Sequence, residues 1–257
     1  MSTALITGAT VNTGLGIALK FAREGCDVVI TSRREDALPA ALDRIRAVNP
    51  SVRVQGFPLQ PVLPDNRINE QAMDTLFASL DSRETAVDCL VLNAANLGIG
   101  QQVFHTPVED FINVIQTNIV ANYCLIERAA LRMKDRGGGS VVLINSNTAY
   151  RAIPDRVAYS ASKAGQLGMM RALALDLGKY NIRVNAVLPG MIKTDRWQRN
   201  LNHCQEAPSN CTPLGDIAEF ADIADAVWYF AACARNTTGA ELTVDGGNMI
   251  QLYPLES

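Results

Sequence analysis

Two residues of one helix-like segment have the spacing of an acid–base pair. Tyr159 and Lys163 are four positions apart, so that on a helix the phenol and the ammonium lie on the same face. A tyrosine has a pKa of about 10, and a neighbouring cation favours its phenolate. Lowering that pKa by about three units requires about 4 kcal/mol of differential interaction, which a desolvated pair can supply. The pair is predicted to exchange protons with a substrate; the plainer alternative is an exposed ion-bearing pair on a helix surface.

A serine hydroxyl is predicted at the end of a buried strand. Ser146 lies thirteen residues before Tyr159 and closes the apolar run 140–146. In an open parallel sheet the ligand crevice lies at the carboxyl ends of the strands, and a hydroxyl there can donate to a substrate oxygen as negative charge develops. Ser146 is therefore a second candidate catalytic residue; taken alone, it would be an ordinary strand-end hydroxyl.

Glycines follow the first predicted strand and open the first predicted helix. Gly8, Gly14 and Gly16 lie in the segment Thr7–Gly16. Between a strand and a helix N-terminus, glycines let the main chain approach a pyrophosphate, to which the helix end offers free N–H groups. This context favours dinucleotide binding over the alternative, a tight turn that needs positive φ.

The end of the second predicted strand favours one dinucleotide over the other. An acidic residue there would accept hydrogen bonds from the ribose hydroxyls of NAD. The sequence instead has Ser32, Arg33 and Arg34, and a guanidinium suits bidentate contact with phosphate. This favours NADP(H) over NAD; alternatively, the arginines only solvate the start of the next helix.

Short apolar segments alternate with longer amphipathic ones along the whole chain. The predicted strands are 4–7, 27–32, 52–58, 87–92, 140–146, 183–188 and 241–244, and the predicted helices are 14–24, 35–48, 66–80, 108–135, 157–179 and 217–234. Because each parallel return must cross over, the alternation predicts an α/β fold. We expect a single doubly wound Rossmann domain over residues 1–257, with a seven-stranded parallel sheet and helices on both faces.

Composition excludes several classes of protein. The 257 residues are 48% hydrophobic and 19% charged, with a formal net charge of −3, so the chain is neither disordered nor basic enough to follow a nucleic-acid backbone. We expect neither a membrane-spanning nor a signal segment. The six cysteines form no CxxC pair, so we expect them to be free thiols in a reducing cytoplasm. His203, Cys204 and Cys211 do not have the spacing of any common zinc site, so no metal is expected.

These motifs resemble the short-chain dehydrogenase/reductase family. The glycine turn is similar to the family's TGxxxGxG, but five residues rather than three separate Gly8 from Gly14, which predicts a bulged loop. Tyr159 and Lys163 match YxxxK, and the resemblance gives Ser146 a substrate oxygen shared with Tyr159. It also implies a catalytic tetrad in which Asn118 holds a proton-relay water.

The resemblance also implies the cofactor contacts. Residues 185–190 match the family motif NxxxPG, and residues 244–247 match a motif near the end of the family's sequences. Two positions differ from the family: Gln60 stands where an Asp is usual, and Leu92 stands where an Asn is usual. The implied cofactor-binding residues are Gly8, Thr10, Asn12, Thr13, Gly14, Leu15, Gly16, Ser32, Arg33, Arg34, Gln60, Asn93, Ala94, Ala95, Tyr159, Lys163, Pro189, Gly190, Ile192 and Thr194.

The expected activity is NADP(H)-dependent interconversion of a ketone and a secondary alcohol, with Tyr159 as acid or base. The longer glycine turn raises an enoyl reductase as an alternative, although those enzymes space Tyr and Lys more widely; the other alternative is a non-catalytic dinucleotide sensor. Within the family, the chain most resembles 3-oxoacyl-carrier-protein reductases, sugar-acid dehydrogenases and bacterial hydroxysteroid dehydrogenases.

A polar segment at about 191–213 is expected to cover the substrate. Ser146, Tyr159, Met191 and Trp197 are the candidate substrate contacts, and Lys193, Arg196 and Arg199 would either clamp an anionic group or solvate the segment. The small-molecule ketone or alcohol is the expected partner. The resemblance further implies a homotetramer or homodimer, formed through the predicted helices 108–135 and 157–179.

Overall fold

Seven strands form one parallel sheet in the computed structural model, which describes residues 2–194 and 212–251. The strands are β1 Thr3–Ile6, β2 Asp27–Ser32, β3 Val54–Pro58, β4 Cys89–Leu92, β5 Gly139–Ile144, β6 Ile182–Pro189 and β7 Glu241–Val244. Their order is β3-β2-β1-β4-β5-β6-β7, and every neighbouring pair is parallel. Leu5 of β1 lies opposite Val29 on one side and Leu90 on the other. The predicted α/β fold is confirmed.

Helices cover both faces of this sheet. The described residues form α1 Asn12–Arg23, α2 Leu38–Val48, α3 Glu70–Ser82, α4 Val108–Ile115, α5 Ala121–Asp135, α6 Val157–Gly178 and α7 Phe220–Trp228. Because side chains alternate along a strand, Ile6 packs with α1, α2 and α7, whereas its neighbour Leu5 packs with α3, α5 and α6. We propose that the described residues form one domain, since both layers take helices from the whole length. No described helix has the length and apolarity needed to cross a bilayer.

The predicted helix 108–135 is interrupted. Between α4 and α5, residues Gln116–Val120 form a π-helical turn, in which the N–H of Ala121 reaches back five residues to the carbonyl of Gln116. One extra residue in a single helical turn hardly changes the hydrophobic periodicity of the segment. The sequence therefore predicted a continuous helix. The wide turn holds Asn118 fully buried.

The last predicted helix, 217–234, begins later than expected. Ala218 instead pairs with the main chain of residues 191–193: its N–H donates to Met191 (3.2 Å) and its carbonyl accepts from Lys193 (2.9 Å). The helix α7 starts after Glu219, whose N–H donates to the Asp222 carboxylate at 2.7 Å. This pairing fixes the start of the segment that was expected to cover the substrate.

Candidate active site

A crevice of about 1050 Å³ opens at the carboxyl ends of the strands. It lies where the strand order reverses, because β2 and β4 flank β1 on opposite sides. Predicted cofactor and substrate residues that line it are Gly8, Thr10, Asn12, Thr13, Gly14, Ser32, Arg33, Arg34, Asn93, Ala94, Ala95, Ser146, Tyr159, Gly190, Met191, Ile192 and Thr194. The topology therefore brings the glycine-rich turn and the Tyr159 region to one cavity.

The two extra residues of the glycine-rich turn lie at the start of helix α1. That helix begins at Asn12 rather than Gly14, and Asn12 itself has a left-handed φ of 50°. Gly8 has φ of 63°, and a Cβ on Gly14 would lie 2.5 Å from both the Gly8 carbonyl oxygen and Asn93 Nδ2. Asn93 in turn donates to the carbonyls of Thr7 and Gly8, at 3.0 Å each. The main chain here faces the crevice and offers the N–H groups of the first helical turn, which have no hydrogen-bond acceptor within a helix.

Five predicted cofactor residues lie off the lining of the crevice, one of them the buried Lys163. Leu15 is buried in the core, and Gly16 packs against α7, where its Cβ would lie 2.8 Å from that of Phe220. The side-chain amide of Gln60 donates to the Val62 carbonyl at 2.7 Å, while Pro189 is the last residue of β6. Gln60 thus holds its own loop, and the neighbouring Leu59 and Pro61 line the crevice instead.

The two arginines after β2 have different surroundings. The guanidinium of Arg34 is paired with Asp36 (Nη2 to Oδ2, 2.7 Å), and this contact raises the pKa of Arg34 and lowers that of Asp36. Ser32 Oγ accepts from the Arg34 N–H at 3.1 Å, which turns the chain at the end of the strand. Arg33 is exposed and lines the crevice. A phosphate at this end would therefore meet Arg33 without displacing a carboxylate.

Tyr159 and Lys163 share one face of α6, and both are buried. The Lys163 Nζ lies 5.6 Å from the centroid of the Tyr159 ring. It donates to the Ile144 carbonyl at 2.8 Å and to Gln166 Oε1 at 3.1 Å. Burial lowers the pKa of Lys163 to about 7, because the ammonium is removed from water. The two residues predicted to exchange protons are thus adjacent, and near neutral pH the lysine is divided between its charged and neutral forms.

Ser146 lies just beyond β5, which ends at Ile144 rather than at the predicted residue 146. Its Oγ accepts from the N–H of Thr148 at 3.1 Å and donates to Thr148 Oγ1 at 3.0 Å. To donate to a substrate oxygen, the hydroxyl would have to rotate its proton away from Thr148 Oγ1, since a hydroxyl has a single proton to donate. The serine is therefore oriented by its own turn, at the edge of the crevice.

Asn118 is buried beneath the crevice and does not line it. Its Nδ2 donates to the Asn96 carbonyl and to Ser162 Oγ, both at 2.9 Å, and its Oδ1 accepts from the Asn96 N–H at 2.8 Å. Its main-chain carbonyl accepts from Gln166 Nε2 at 2.6 Å and from Asn122. The predicted water-holding residue is thus engaged by protein groups on its side chain and its carbonyl.

The contacts of Asn118 continue outward through other amides. Asn96 Nδ2 donates to Asn113 at 2.9 Å, and Asn113 Nδ2 donates to Asn66 at 2.6 Å. We call Asn66, Asn113, Asn96 and Asn118 the amide ladder. Neither the ladder nor Gln166 was predicted, although Gln166 is seven positions from Tyr159, a spacing that puts both on one face of a helix.

Of the two roles considered for Lys193, a clamp on an anionic group is the less favoured one, because its ammonium is paired within the chain. Its ammonium pairs with Asp216 at 2.7 Å and with Glu219 at 2.9 Å, and both contacts raise the pKa of Lys193. Asp216 therefore fixes the beginning of the segment after β6. Trp197, Arg196, Arg199, His203, Cys204 and Cys211 lie outside the described residues, and no metal-binding cluster occurs within the described ranges.

Comparisons with known proteins agree over nearly the whole chain. Residues 8–248 match a family model described as Enoyl-(Acyl carrier protein) reductase. A 3alpha-hydroxysteroid dehydrogenase of Mediterraneibacter gnavus is 32% identical over 95% of each chain. An NADP-dependent (R)-specific alcohol dehydrogenase of Lentilactobacillus kefiri is 33% identical over 96% of each chain. A solved 7alpha-hydroxysteroid dehydrogenase, in complex with NADH and 7-oxo glycochenodeoxycholic acid, superposes with a TM-score of 0.87 at 30% identity, over 98% of this chain and 95% of that one.

Proposed function

The chain belongs to the short-chain dehydrogenase/reductase family, and we propose that it interconverts a ketone and a secondary alcohol with NADP(H), using Tyr159 as acid or base. One observation carries this proposal: Ser146 and Tyr159 line the same crevice as the glycine-rich turn, and the buried Lys163 lies beside the Tyr159 ring. The relatives include alcohol and hydroxysteroid dehydrogenases, so an oxidoreductase acting on an alcohol or ketone is the common activity.

The crevice fits a dinucleotide. The absence of space for a Cβ at Gly14 and the positive φ of Gly8 bring main chain to the surface that a pyrophosphate would contact. Ser32 and Arg33 would hold a 2′-phosphate, while Gly190, Ile192 and Thr194 would flank the nicotinamide. When bound, that ring supplies the hydride chemistry.

The residues of the chain supply a proton and stabilise charge. In the direction of reduction, Tyr159 donates its phenolic proton to the carbonyl oxygen, which becomes the alcohol. The Ser146 hydroxyl donates a hydrogen bond to the same oxygen. The ammonium form of Lys163 stabilises the phenolate that Tyr159 leaves behind. In oxidation the phenolate takes the alcohol proton.

An enoyl reductase is the second candidate, favoured by the description of the matching family model and by the lengthened glycine turn. The spacing of four between Tyr159 and Lys163 favours ketones. A sensor without activity would have no use for the buried lysine beside the tyrosine.

The function is tested by following NADPH absorbance with a panel of ketones and enoyl thioesters. We expect oxidation of NADPH with ketones and none with enoyl substrates. The panel should pair neutral ketones with keto acids, because Arg151 and Arg156 line the crevice and no Asp or Glu is among its described lining residues. Turnover of enoyl substrates alone would favour the second candidate, and binding of NADPH without turnover of either class would favour the sensor.

Removing Arg33 is expected to weaken selection for NADPH. A hydrogen bond to a charged group contributes about 1.5–3 kcal/mol, so Arg33→Ala should raise KM for NADPH roughly tenfold to a hundredfold. The KM for NADH should change little, since NADH has no 2′-phosphate. Steady-state kinetics with both cofactors measure the difference.

Arg34→Ala is the matched control, because Asp36 already occupies the Arg34 guanidinium. We expect a smaller rise in KM for NADPH in this variant. Equal losses with NADH and NADPH after Arg33→Ala would show that the residue acts on the fold of the turn and not on the phosphate.

Assembly and compartment remain proposals. We propose a homodimer or homotetramer, supported by exposed apolar side chains on α4, α5 and α6, among them Ile112, Tyr123 and Leu175. A cytoplasmic location is supported by the free thiols of Cys26, Cys89, Cys124 and Cys233.

Met191 lines the crevice as a proposed substrate contact.

A further inference from the structure

We infer that Gln166 is a positioning residue, which holds the ammonium of Lys163 in place beside Tyr159 by means of its side-chain amide. This inference rests on the proposed function of Tyr159 as acid or base. It concerns a residue one turn along α6 from Lys163 that does not line the crevice.

The amide of Gln166 is buried and bonded at both ends. Its Oε1 accepts from Lys163 Nζ and from Asn145 Nδ2, at 3.1 Å each, and its Nε2 donates to the Asn118 carbonyl at 2.6 Å. Two donors on one side and a carbonyl on the other fix the orientation of the amide. The side chain therefore joins the catalytic helix to the π-helical turn.

Asn145 connects the same group to the serine. Its Oδ1 accepts from the Ser146 N–H at 2.7 Å, and its Nδ2 also donates to the Lys163 carbonyl at 2.9 Å. Through Gln166 and Asn145, the positions of Lys163, Ser146 and Asn118 depend on one another. An apolar side chain at position 166 would leave the ammonium with the Ile144 carbonyl as its remaining hydrogen-bond acceptor in the described structure.

The groups that face the ammonium are neutral. They are the Ile144 carbonyl from β5, the Gln166 amide and the Tyr159 ring, and no described carboxylate forms an ion pair with Lys163. Tyr159 is the one titratable side chain among these three groups. Burial lowers the pKa of Lys163 by disfavouring the charged form. In the absence of a carboxylate partner in the described structure, the oxygens that accept from the ammonium are what stabilises that charged form.

Two substitutions at position 166 should move the titration of this pair in opposite directions. Gln166→Leu removes the acceptor, so the pH above which kcat/KM for ketone reduction falls should move about one to two units toward acid. Gln166→Glu places a carboxylate against the ammonium, which raises the pKa of the lysine. The pH above which kcat/KM falls should therefore move about one to three units toward alkali. A purely structural role would lower activity without separating the two variants.

The unfolding free energy provides a readout that needs no turnover. Measured in urea between about pH 5 and pH 10, its rise with pH should begin at lower pH in Gln166→Leu and at higher pH in Gln166→Glu. Gln116→Leu is the matched control, because Gln116 is close by on the π-helical turn and its buried Oε1 has no hydrogen-bond partner among residues 2–194 and 212–251. We expect no displacement of either titration in the control.

Opposite displacements in the two variants support the assignment. Displacements in the same direction, or none, in variants that keep the wild-type circular dichroism spectrum overturn it, and Gln166→Met replaces the leucine variant if that protein does not fold. A wild-type protein inactive with every ketone refutes the proposed function, while the unfolding measurements still decide the role of Gln166.

Discussion

Tyr159→Phe is expected to lower kcat for ketone reduction by about 10²–10⁴-fold, the range that a positioned acid or base contributes. The substitution removes one oxygen from a buried ring and leaves the ring against Lys163. The affinity for NADPH should be nearly unchanged, because the glycine-rich turn and Arg33 are untouched. Single-turnover kinetics measure the chemical step, and quenching of protein fluorescence measures cofactor affinity.

Tyr150→Phe is the matched control for this prediction. The hydroxyl of Tyr150 donates to Glu241 at 2.6 Å outside the crevice, and its ring is 55% exposed. We expect its kcat to stay close to that of the wild type. Full activity of the Tyr159 variant would assign the proton to another donor, and a parallel loss of NADPH binding would make the effect one of architecture.

Lys163→Met is expected to abolish most activity and to remove a pH dependence of stability. The folded pKa of Lys163 is about 7, below the value of 10.5 for an unburied lysine. Between these values the unfolded chain holds a proton that the folded chain has released, so the free energy of unfolding rises as pH increases. From pH 7 to pH 9.5 this group should add about 3 kcal/mol of stability, and the methionine variant should lack that increment.

Urea unfolding at the two pH values, for wild type and variant side by side, measures the increment, since other titrating groups cancel in the difference. Lys134→Met, a change of an exposed lysine on α5, should retain it. The same slope in wild type and Lys163→Met would show that the buried lysine is charged throughout this range. In that case the ammonium is available to Tyr159 well above neutral pH.

The sheet was predictable because its strands are short, apolar and separated by segments of helical length. Each strand of the structure overlaps a predicted one, and errors at the ends are at most two residues, as at Val54 and Cys89. Helix starts were less predictable, since they depend on tertiary contacts. The start of α7 moved because Ala218 pairs with main chain that follows β6, a partner far away in the sequence.

Within the candidate site, the spacing of residues in the sequence predicted which side chains lie together on one helix or strand. It did not predict which residues from other elements would form hydrogen bonds or ion pairs with them. Tyr159 and Lys163 are adjacent as their separation implies, and Ser146 lies at the predicted edge. The role expected for Asn118 came from the family resemblance and stays a prediction, whereas spacing did not reveal that its carbonyl, on the π-helical turn, accepts from Gln166. Likewise, Lys193 looked available to an anion until the fold placed Asp216 and Glu219 beside it.

The amide ladder constrains how this sequence can diverge. Exchanging Asn113 for an aliphatic residue takes the partner from the side-chain amides of Asn96 and Asn66. Exchanging Asn96 takes the donor from Asn113 Oδ1 and the acceptor from the Gly98 N–H, whereas the contact with Asn118 survives because Asn96 makes it through its main chain. Such a change costs up to about 3 kcal/mol for each group left unsatisfied, and less at part-buried positions that water can reach. Drift at these positions is therefore expected to proceed through compensating pairs of substitutions, and an evolutionary history of this chain should show them changing together or not at all.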